Sequence, residues 1–383
     1  MKLYDVYPLY QVTPVSAKGA RLVDDQGQEY LDFYGGHAVM SIGHGHPHYI
    51  QKIETQLSKL GFYSNSILNP LQKELAELLG EVSGLPDYQL FLCNSGAEAN
   101  ENALKLASFH RPDSKKVIAF KNGFHGRTSA AVNVTDNAQI QATFNQQLQV
   151  VYFDHEQEAE VISEIKKGDS CAVILEVIQG VGGLNSINDD ILQKISEACD
   201  LTNTVLIVDE VQSGYGRTGS FFAFQHAGIR PDIISMAKGM GNGFPIGGIM
   251  ISEKFKPSYG QLGTTFGGNH LACAAGIAVL EVIKKESLMM KVKPKYKRLS
   301  KALSTLSGVK RIKGAGLMLG AEFDFPIKGL RKSLIHNQHV FTGSSKDPNV
   351  LRLLPPLTIT DQDIDDFIIK METGIHHYLK NQK

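Results

Sequence analysis

Seven short apolar runs separated by longer amphipathic stretches restrict this chain more than any other feature of its sequence. They fall at 89–93, 116–120, 149–153, 171–177, 204–209, 232–237 and 247–251. Helical patterns at 97–109, 156–167 and 189–203 lie between them. Several of these runs have no wet face: Val205-Leu206-Ile207-Val208 is apolar at every position, which suits a strand covered on both sides. Strands that alternate with amphipathic helices predict βα units and a mainly parallel sheet, so the expected fold class is α/β. Beyond it, 272–285 reads as a long helix leaving this unit. A second helical pattern at 288–306 is interrupted or started by Pro294. The tail returns to α+β, with strands at 317–323 and 350–354 and a last helix from Asp361. Thr360 and Asp363 resemble a capping box for that helix. We expect a large α/β domain over 46–273 and a smaller α+β domain from 1–45 and 274–383.

Two of the runs end in groups that are costly to bury. Asp209 closes 204–209, and Lys238 follows 232–237 before Gly239. An acid and an amine thereby meet at one edge of the sheet. Apolar surroundings disfavour the ammonium and leave a nucleophilic amine, the form that makes a Schiff base with an aldehyde. A carboxylate placed to hold a pyridine nitrogen protonated is the companion requirement of pyridoxal 5′-phosphate chemistry. The pair therefore predicts that cofactor.

Bulk composition narrows the alternatives. Lys+Arg and Asp+Glu are both 39 in 383 residues, a balance that gives no reason to expect nucleic acid or an anionic membrane as a partner. Cys93, Cys171, Cys199 and Cys273 form no CxxC pair and read as reduced, buried residues. The first ten residues lack an apolar core of signal-peptide type, and no apolar stretch approaches a membrane span. A cytoplasmic location is expected. No HExxH is present, and His44-Gly45-His46 reads as a turn rather than a metal site, so no metal is expected.

Four further clusters bear on chemistry. Asn94-Ser95-Gly96-Ala97-Glu98 follows a strand and opens a helix, either as an ordinary N-cap at Ser95 or as an anion cradle of free backbone N–H groups. Gly263-Thr264-Thr265-Phe266-Gly267-Gly268-Asn269 supplies hydroxyls and Gly-rich backbone before another helix, either as an ordinary loop or as a phosphate contact. In Gly123-Phe124-His125-Gly126-Arg127-Thr128, Phe124 is either a core residue or a platform for a heteroaromatic ring. Arg127 is either solvated or a carboxylate clamp. Arg352 lies inside the apolar strand 350–354 and needs a partner, whether an internal acid or a substrate carboxylate. Gly214-Tyr215-Gly216-Arg217-Thr218-Gly219 matches GxGxxG, yet the following Ser220-Phe221-Phe222 opens no helix, and Asp232 precedes the next strand rather than ending it. A dinucleotide site is rejected. The lysines between Lys284 and Lys301 alternate with apolar residues at helical spacing and read as a solvated helix face.

Taken in order, these segments resemble the class III pyridoxal-phosphate-dependent aminotransferases. The likeness is carried by Asp209-Glu210-Val211-Gln212-Ser213-Gly214-Tyr215-Gly216-Arg217-Thr218-Gly219, Ala237-Lys238-Gly239 and Gly243-Phe244-Pro245-Ile246-Gly247-Gly248. It runs from about Tyr30 to Pro356, and Phe124-His125-Gly126-Arg127-Thr128 looks most like the acetylornithine aminotransferases. The resemblance implies fold type I, with a large domain built on a mainly parallel seven-stranded sheet, a smaller domain from both termini, and a homodimer with shared active sites. It implies that Lys238 is the Schiff-base lysine and proton carrier, and that Asp209 pairs with the pyridinium nitrogen. Gln212 would meet the ring hydroxyl and Phe124 would stack on the ring. Ser95, Gly96 and Ala97 would hold the phosphate, with Thr265 reaching it from the other subunit. Arg127, Arg352 and Glu176 would face substrate. The reaction implied moves the δ-amino group of an N-acylornithine to 2-oxoglutarate. The alternatives are N-succinylornithine, ornithine or 4-aminobutyrate as donor, or a cofactor-binding regulatory protein. One position departs from the pattern: after Glu176-Val177-Ile178-Gln179-Gly180, many relatives carry a second glutamate that masks the arginine, and this chain has Val181.

Overall fold

The computed structural model describes residues 1–380. Three short strands open the chain: β1 (Pro14–Lys18), β2 (Arg21–Asp24) and β3 (Glu29–Asp32). The next seven build the central sheet: β4 (Gln89–Cys93), β5 (Lys116–Phe120), β6 (Gln149–Phe153), β7 (Ala172–Leu175), β8 (Val205–Asp209), β9 (Ile233–Met236) and β10 (Gly247–Ile251). Four more follow: β11 (Val309–Ala315), β12 (Met318–Phe323), β13 (Val340–Phe341) and β14 (Val350–Leu353). The central order is β4-β10-β9-β8-β7-β5-β6, with only β10 antiparallel to its neighbours. The mainly parallel sheet read from the apolar runs is what the chain forms.

Strand alternation divides the core. Val173, Leu175, Leu206, Val208, Ile234 and Met236 join one apolar cluster, while Ala172, Ile174, Val205, Ile207 and Ile233 join another. Successive side chains point to opposite faces, so a strand buried on both sides feeds two cores at once. Each fully buried Val, Leu or Ile contributes about 1.5–3 kcal/mol, and this two-sided burial is why these runs need no polar alternation.

The terminal segments interlock. β13 pairs in parallel with β3, Val340 opposite Leu31, in the sheet β1-β2-β3-β13. β11-β12-β14 form a third sheet. Phe33 and Phe367 stack with ring centroids 3.8 Å apart, joining the two ends of the chain. The last helix, Asp361–Lys380, starts with the expected reciprocal cap: Asp363 accepts from Thr360 N at 2.9 Å, and Thr360 Oγ1 accepts from Asp363 N at 3.1 Å. Pro294 neither starts nor breaks the helix Leu288–Leu303; it sits on the exposed side of a continuous helix whose Leu288, Val292, Leu299 and Leu303 are buried. Lys291, Lys293, Lys297 and Lys301 cover its wet face. The residue-273 boundary lies inside the unbroken helix His270–Lys285, which packs on the helices Pro47–Lys59 and Pro70–Ser83. Among the described residues no helix is long and apolar enough to cross a membrane.

Candidate active site

The site begins with register. In the parallel pair β8–β9, Asp209 lies opposite Ser235, so the acid and Lys238 emerge at the same sheet edge. The chain then turns sharply: Lys238 has φ +45°, a left-handed conformation costly for a residue with a side chain. Neighbours hold this turn in place. Ser41 Oγ donates to Gly239 O at 2.7 Å and Tyr49 Oη to Gly241 O at 2.7 Å. Asn242 Oδ1 accepts from Ile42 N at 3.0 Å. The Lys238 amine makes no hydrogen bond or ion pair among the described residues, and desolvation pulls its pKa below the ordinary lysine value despite the nearby Asp209 and Glu176. A neutral amine is thereby favoured.

Asp209 is buried inside a hydrogen-bond network. Its Oδ2 accepts from His125 Nδ1 at 2.8 Å and Asn100 Nδ2 at 2.7 Å, and its Oδ1 accepts from Val211 N at 3.0 Å. Burial opposes charge on His125, but the bond to Asp209 and the charges of Asp209 and Glu176 outweigh it and raise the imidazole pKa. Glu176 is buried too, and desolvation raises its pKa. Its oxygens accept from Phe124 N at 2.9 Å and Gly180 N at 2.8 Å. In this chain, then, Glu176 braces two backbone segments that flank the cleft.

The anion cradle has the required geometry. Ser95 caps the helix Gly96–His110 by accepting from Glu98 N at 3.2 Å, while Glu98 Oε2 accepts from Asn94 N at 2.6 Å. Among the described residues the N–H groups of Gly96 and Ala97 have no partner, as the first turn of a helix leaves them. Neighbouring side chains leave no space on two sides of this turn. A Cβ on Gly96 would lie 2.7 Å from Val211 Cγ1, and one on Gly126 would lie 2.8 Å from Ala97 Cβ. Glycines thus bring the Asp209 strand end, the Phe124 loop and the helix start together. Phe124 is partly exposed at their junction, and Arg127 is exposed with no hydrogen bond among the described residues. Thr265 is also exposed; within the chain it is Thr264 that approaches this loop, accepting from Asn94 Nδ2 at 3.4 Å.

Arg352 of β14 is buried with no acidic partner among the described residues. It donates to Ser344 O at 2.5 Å, Gly180 O at 2.6 Å, Gln212 Oε1 at 3.5 Å and Tyr34 Oη at 3.1 Å. Of the two partners open to it from sequence, the internal acid is not there. Gln212 also donates to His37 O at 3.1 Å. The GxGxxG look-alike is a buried turn whose Arg217 donates to Leu317 O at 3.3 Å and to Pro355 O, and burial lowers its pKa to about 10. His44 and His46 pair with Asp32 at 2.8 Å and Glu286 at 3.0 Å. The four cysteines are buried and free.

Sequence reasoning missed His125, Asn100 and Tyr34. His125 lies between residues that were singled out, but nothing in the sequence links it to Asp209, 84 positions away. The assembled cleft combines an unpaired amine, a hydrogen-bonded carboxylate, two free backbone donors and a buried guanidinium. It suits a bound aldehyde-bearing phosphate ester and a carboxylate substrate.

Comparison with known proteins agrees in scope. The family described as aminotransferase class-III matches residues 5–375. The acetylornithine aminotransferase of Caldanaerobacter subterraneus subsp. tengcongensis is 40% identical over 382 residues, covering 95% of this chain and 94% of that one. An ornithine aminotransferase structure from Toxoplasma gondii, described with PLP at its active site, superposes with a TM-score of 0.91 at 30% identity, over 99% of this chain and 93% of that chain. The N-acetylornithine aminotransferase of Stenotrophomonas maltophilia gives 0.83 at 30% identity over 98% of both chains.

Proposed function

The chain belongs to the class-III aminotransferases, and from that premise we propose that it transfers the δ-amino group of N-acetylornithine to 2-oxoglutarate. The products are N-acetylglutamate 5-semialdehyde and glutamate, a step of arginine biosynthesis. The observation that carries the chemistry is the lone, desolvated Lys238 amine beside the hydrogen-bonded Asp209 carboxylate at one sheet edge. Near-full-length likeness to acetylornithine aminotransferases supports the substrate.

The family depends on pyridoxal 5′-phosphate, and the residues present fit it. Gly96 and Ala97 offer free N–H groups beside Ser95 for its phosphate. Phe124 and Gln212 would flank its ring, and Asp209 would meet its nitrogen. When bound, the cofactor supplies an aldehyde and an electron-withdrawing ring. Lys238 would remove a proton from the amine-bearing carbon of the donor in the first half-reaction and deliver one to the keto carbon of the acceptor in the second. His125 and Asn100 fix the orientation of the Asp209 carboxylate, which would meet the ring nitrogen. Arg352 would bind a substrate carboxylate, and the exposed Arg127 would take that of the N-acylornithine. Glu176 positions the Phe124 loop through Phe124 N.

A homodimer and a cytoplasmic location belong to the same reading. Leu57, Phe62, Tyr63, Ile67, Leu68, Tyr259 and Phe266 are exposed. The rings of Phe62 and Phe266 lie 5.3 Å apart, and Asn65 donates to Thr264 O and Gly267 O, so both segments form one surface. A second copy covering this patch would meet Thr265 and carry it to the partner's phosphate seat. The division into a large domain at 46–273 and a small one from both termini is likewise part of this proposal.

Purified protein should be yellow, and borohydride reduction should attach the cofactor to Lys238, as read by peptide mass. An adduct on another lysine overturns the chemistry. Turnover against N-acetylornithine, N-succinylornithine, ornithine and 4-aminobutyrate tests the substrate; preference for any of the last three overturns that assignment alone.

A further inference from the structure

Gly35, Gly36, His37 and Ala38 have φ of +54°, +54°, +68° and +66°, a left-handed turn that crosses the mouth of the site. Two of these residues carry side chains, and their conformation is strained. The surroundings impose it. Asp32 Oδ1 accepts from Tyr34 N at 3.0 Å and Gly35 N at 2.7 Å, and Gln212 holds His37 O. A Cβ on Gly35 would sit 2.8 Å from Leu354 O.

The turn places Tyr34 and His37 against Arg352. The Tyr34 ring lies over Gly343, where a Cβ would be 2.2 Å from Tyr34 Cε2, and the Arg352 guanidinium sits 5.7 Å from the ring centroid. Because Tyr34 Oη accepts from Arg352 Nη2 at 3.1 Å, its own proton goes to His37 Nδ1, 2.6 Å away. His37 must then carry its proton on Nε2. That nitrogen has no partner among the described residues, and the ring is exposed. Partial desolvation of the ring, together with the cations Arg352, Lys238 and Arg331, holds the His37 pKa below its ordinary value. Glu176, the nearby carboxylate, is engaged by Phe124 N and Gly180 N.

We infer that Arg352, Tyr34 and His37 form one carboxylate reader, with Tyr34 the positioning residue and His37 Nε2 a specificity-determining second donor. The inference rests on the proposed transaminase reading and names how its dicarboxylate substrate is selected. In this chain Arg352 faces a hydroxyl–imidazole pair and no acidic partner among the described residues. With N-acetylornithine bound, the pair satisfies Arg352 without adding charge. With glutamate or 2-oxoglutarate bound, nothing has to leave: Arg352 and His37 both donate to the incoming carboxylate.

The test is calorimetric titration of holoenzyme with glutarate, a dicarboxylate that cannot react, together with KM and kcat for each half-reaction. Tyr34→Phe and His37→Asn are the variants; asparagine tolerates the left-handed backbone, and phenylalanine keeps the ring over Gly343. Each should weaken glutarate binding and raise KM for glutamate about tenfold, the loss falling on KM rather than kcat. KM for N-acetylornithine should move by less than about twofold, since one hydrogen bond to a charged group is worth about tenfold and none is lost there. Unchanged glutarate affinity in both variants overturns the inference, as does an equal loss for both substrates. Failure of the wild type to turn over N-acetylornithine while the glutarate result holds would overturn the substrate assignment and leave the reader standing.

Discussion

Asp209 shows how much one atom can decide. Asp209→Asn keeps the volume but puts an amide where His125 Nδ1–H and Asn100 Nδ2–H now donate, and it removes the carboxylate proposed to meet the cofactor nitrogen. The rate should fall by about 4 kcal/mol or more of transition-state stabilisation, measured as single-turnover amine transfer. Near-normal turnover would make the carboxylate merely structural. His125 gives a pH prediction with a definite sign. Its folded pKa is raised above 6.5, so the stability from its pair with Asp209 is fully present below the unfolded value and is lost as pH rises through the folded one. In urea denaturation, His125→Gln should cost roughly 3 kcal/mol near about pH 6 and progressively less as pH rises. A cost independent of pH would show that the imidazole is not charged in the fold.

Among the elements, the contact between the 123–126 loop and the first turn of helix Gly96–His110 matters most. Gly126 has φ +140° and no room for a Cβ against Ala97. Gly126→Ala should therefore separate the Phe124 loop from the anion cradle, at a cost of about 1–3 kcal/mol in thermal or denaturant unfolding. Cofactor affinity, read by fluorescence titration, should fall with it. Full affinity in this variant would mean that the two elements act independently. Gly214–Gly219 makes the contrast: the same residue type at comparable spacing forms a buried turn, because Arg217 is drawn toward Leu317 O and Pro355 O rather than toward a ligand.

For the whole molecule, the exposed apolar surface at Leu57–Leu68 and Tyr259–Phe266 demands a cover. Sedimentation should show a dimer, and Leu68→Asp should dissociate it and abolish turnover, because Thr265 would no longer reach a neighbouring site. A monomeric, fully active wild type would remove the shared-site reading. The central sheet, by contrast, is legible in the sequence alone. β5, β7, β8 and β9 are buried at every position, and such runs leave a chain few ways to hide them. The ends of those strands announced Lys238 and Asp209 for the same local reason: a charge at the end of an apolar run is an energetic anomaly visible in the sequence. Strands β1, β2 and β11 were not read because they are partly exposed and carry little apolar contrast, and β3 and β13 because they have only four and two residues. Nor were the partners His125, Asn100, Tyr34 and His37. A hydrogen bond between residues scores of positions apart leaves no periodicity in a sequence; it exists only once the sheet register, the left-handed turns and the glycine contacts have set the distances. Burial patterns are local and additive along a chain, and so they can be read from it, whereas polar partners are chosen by three-dimensional proximity that only the folded structure supplies.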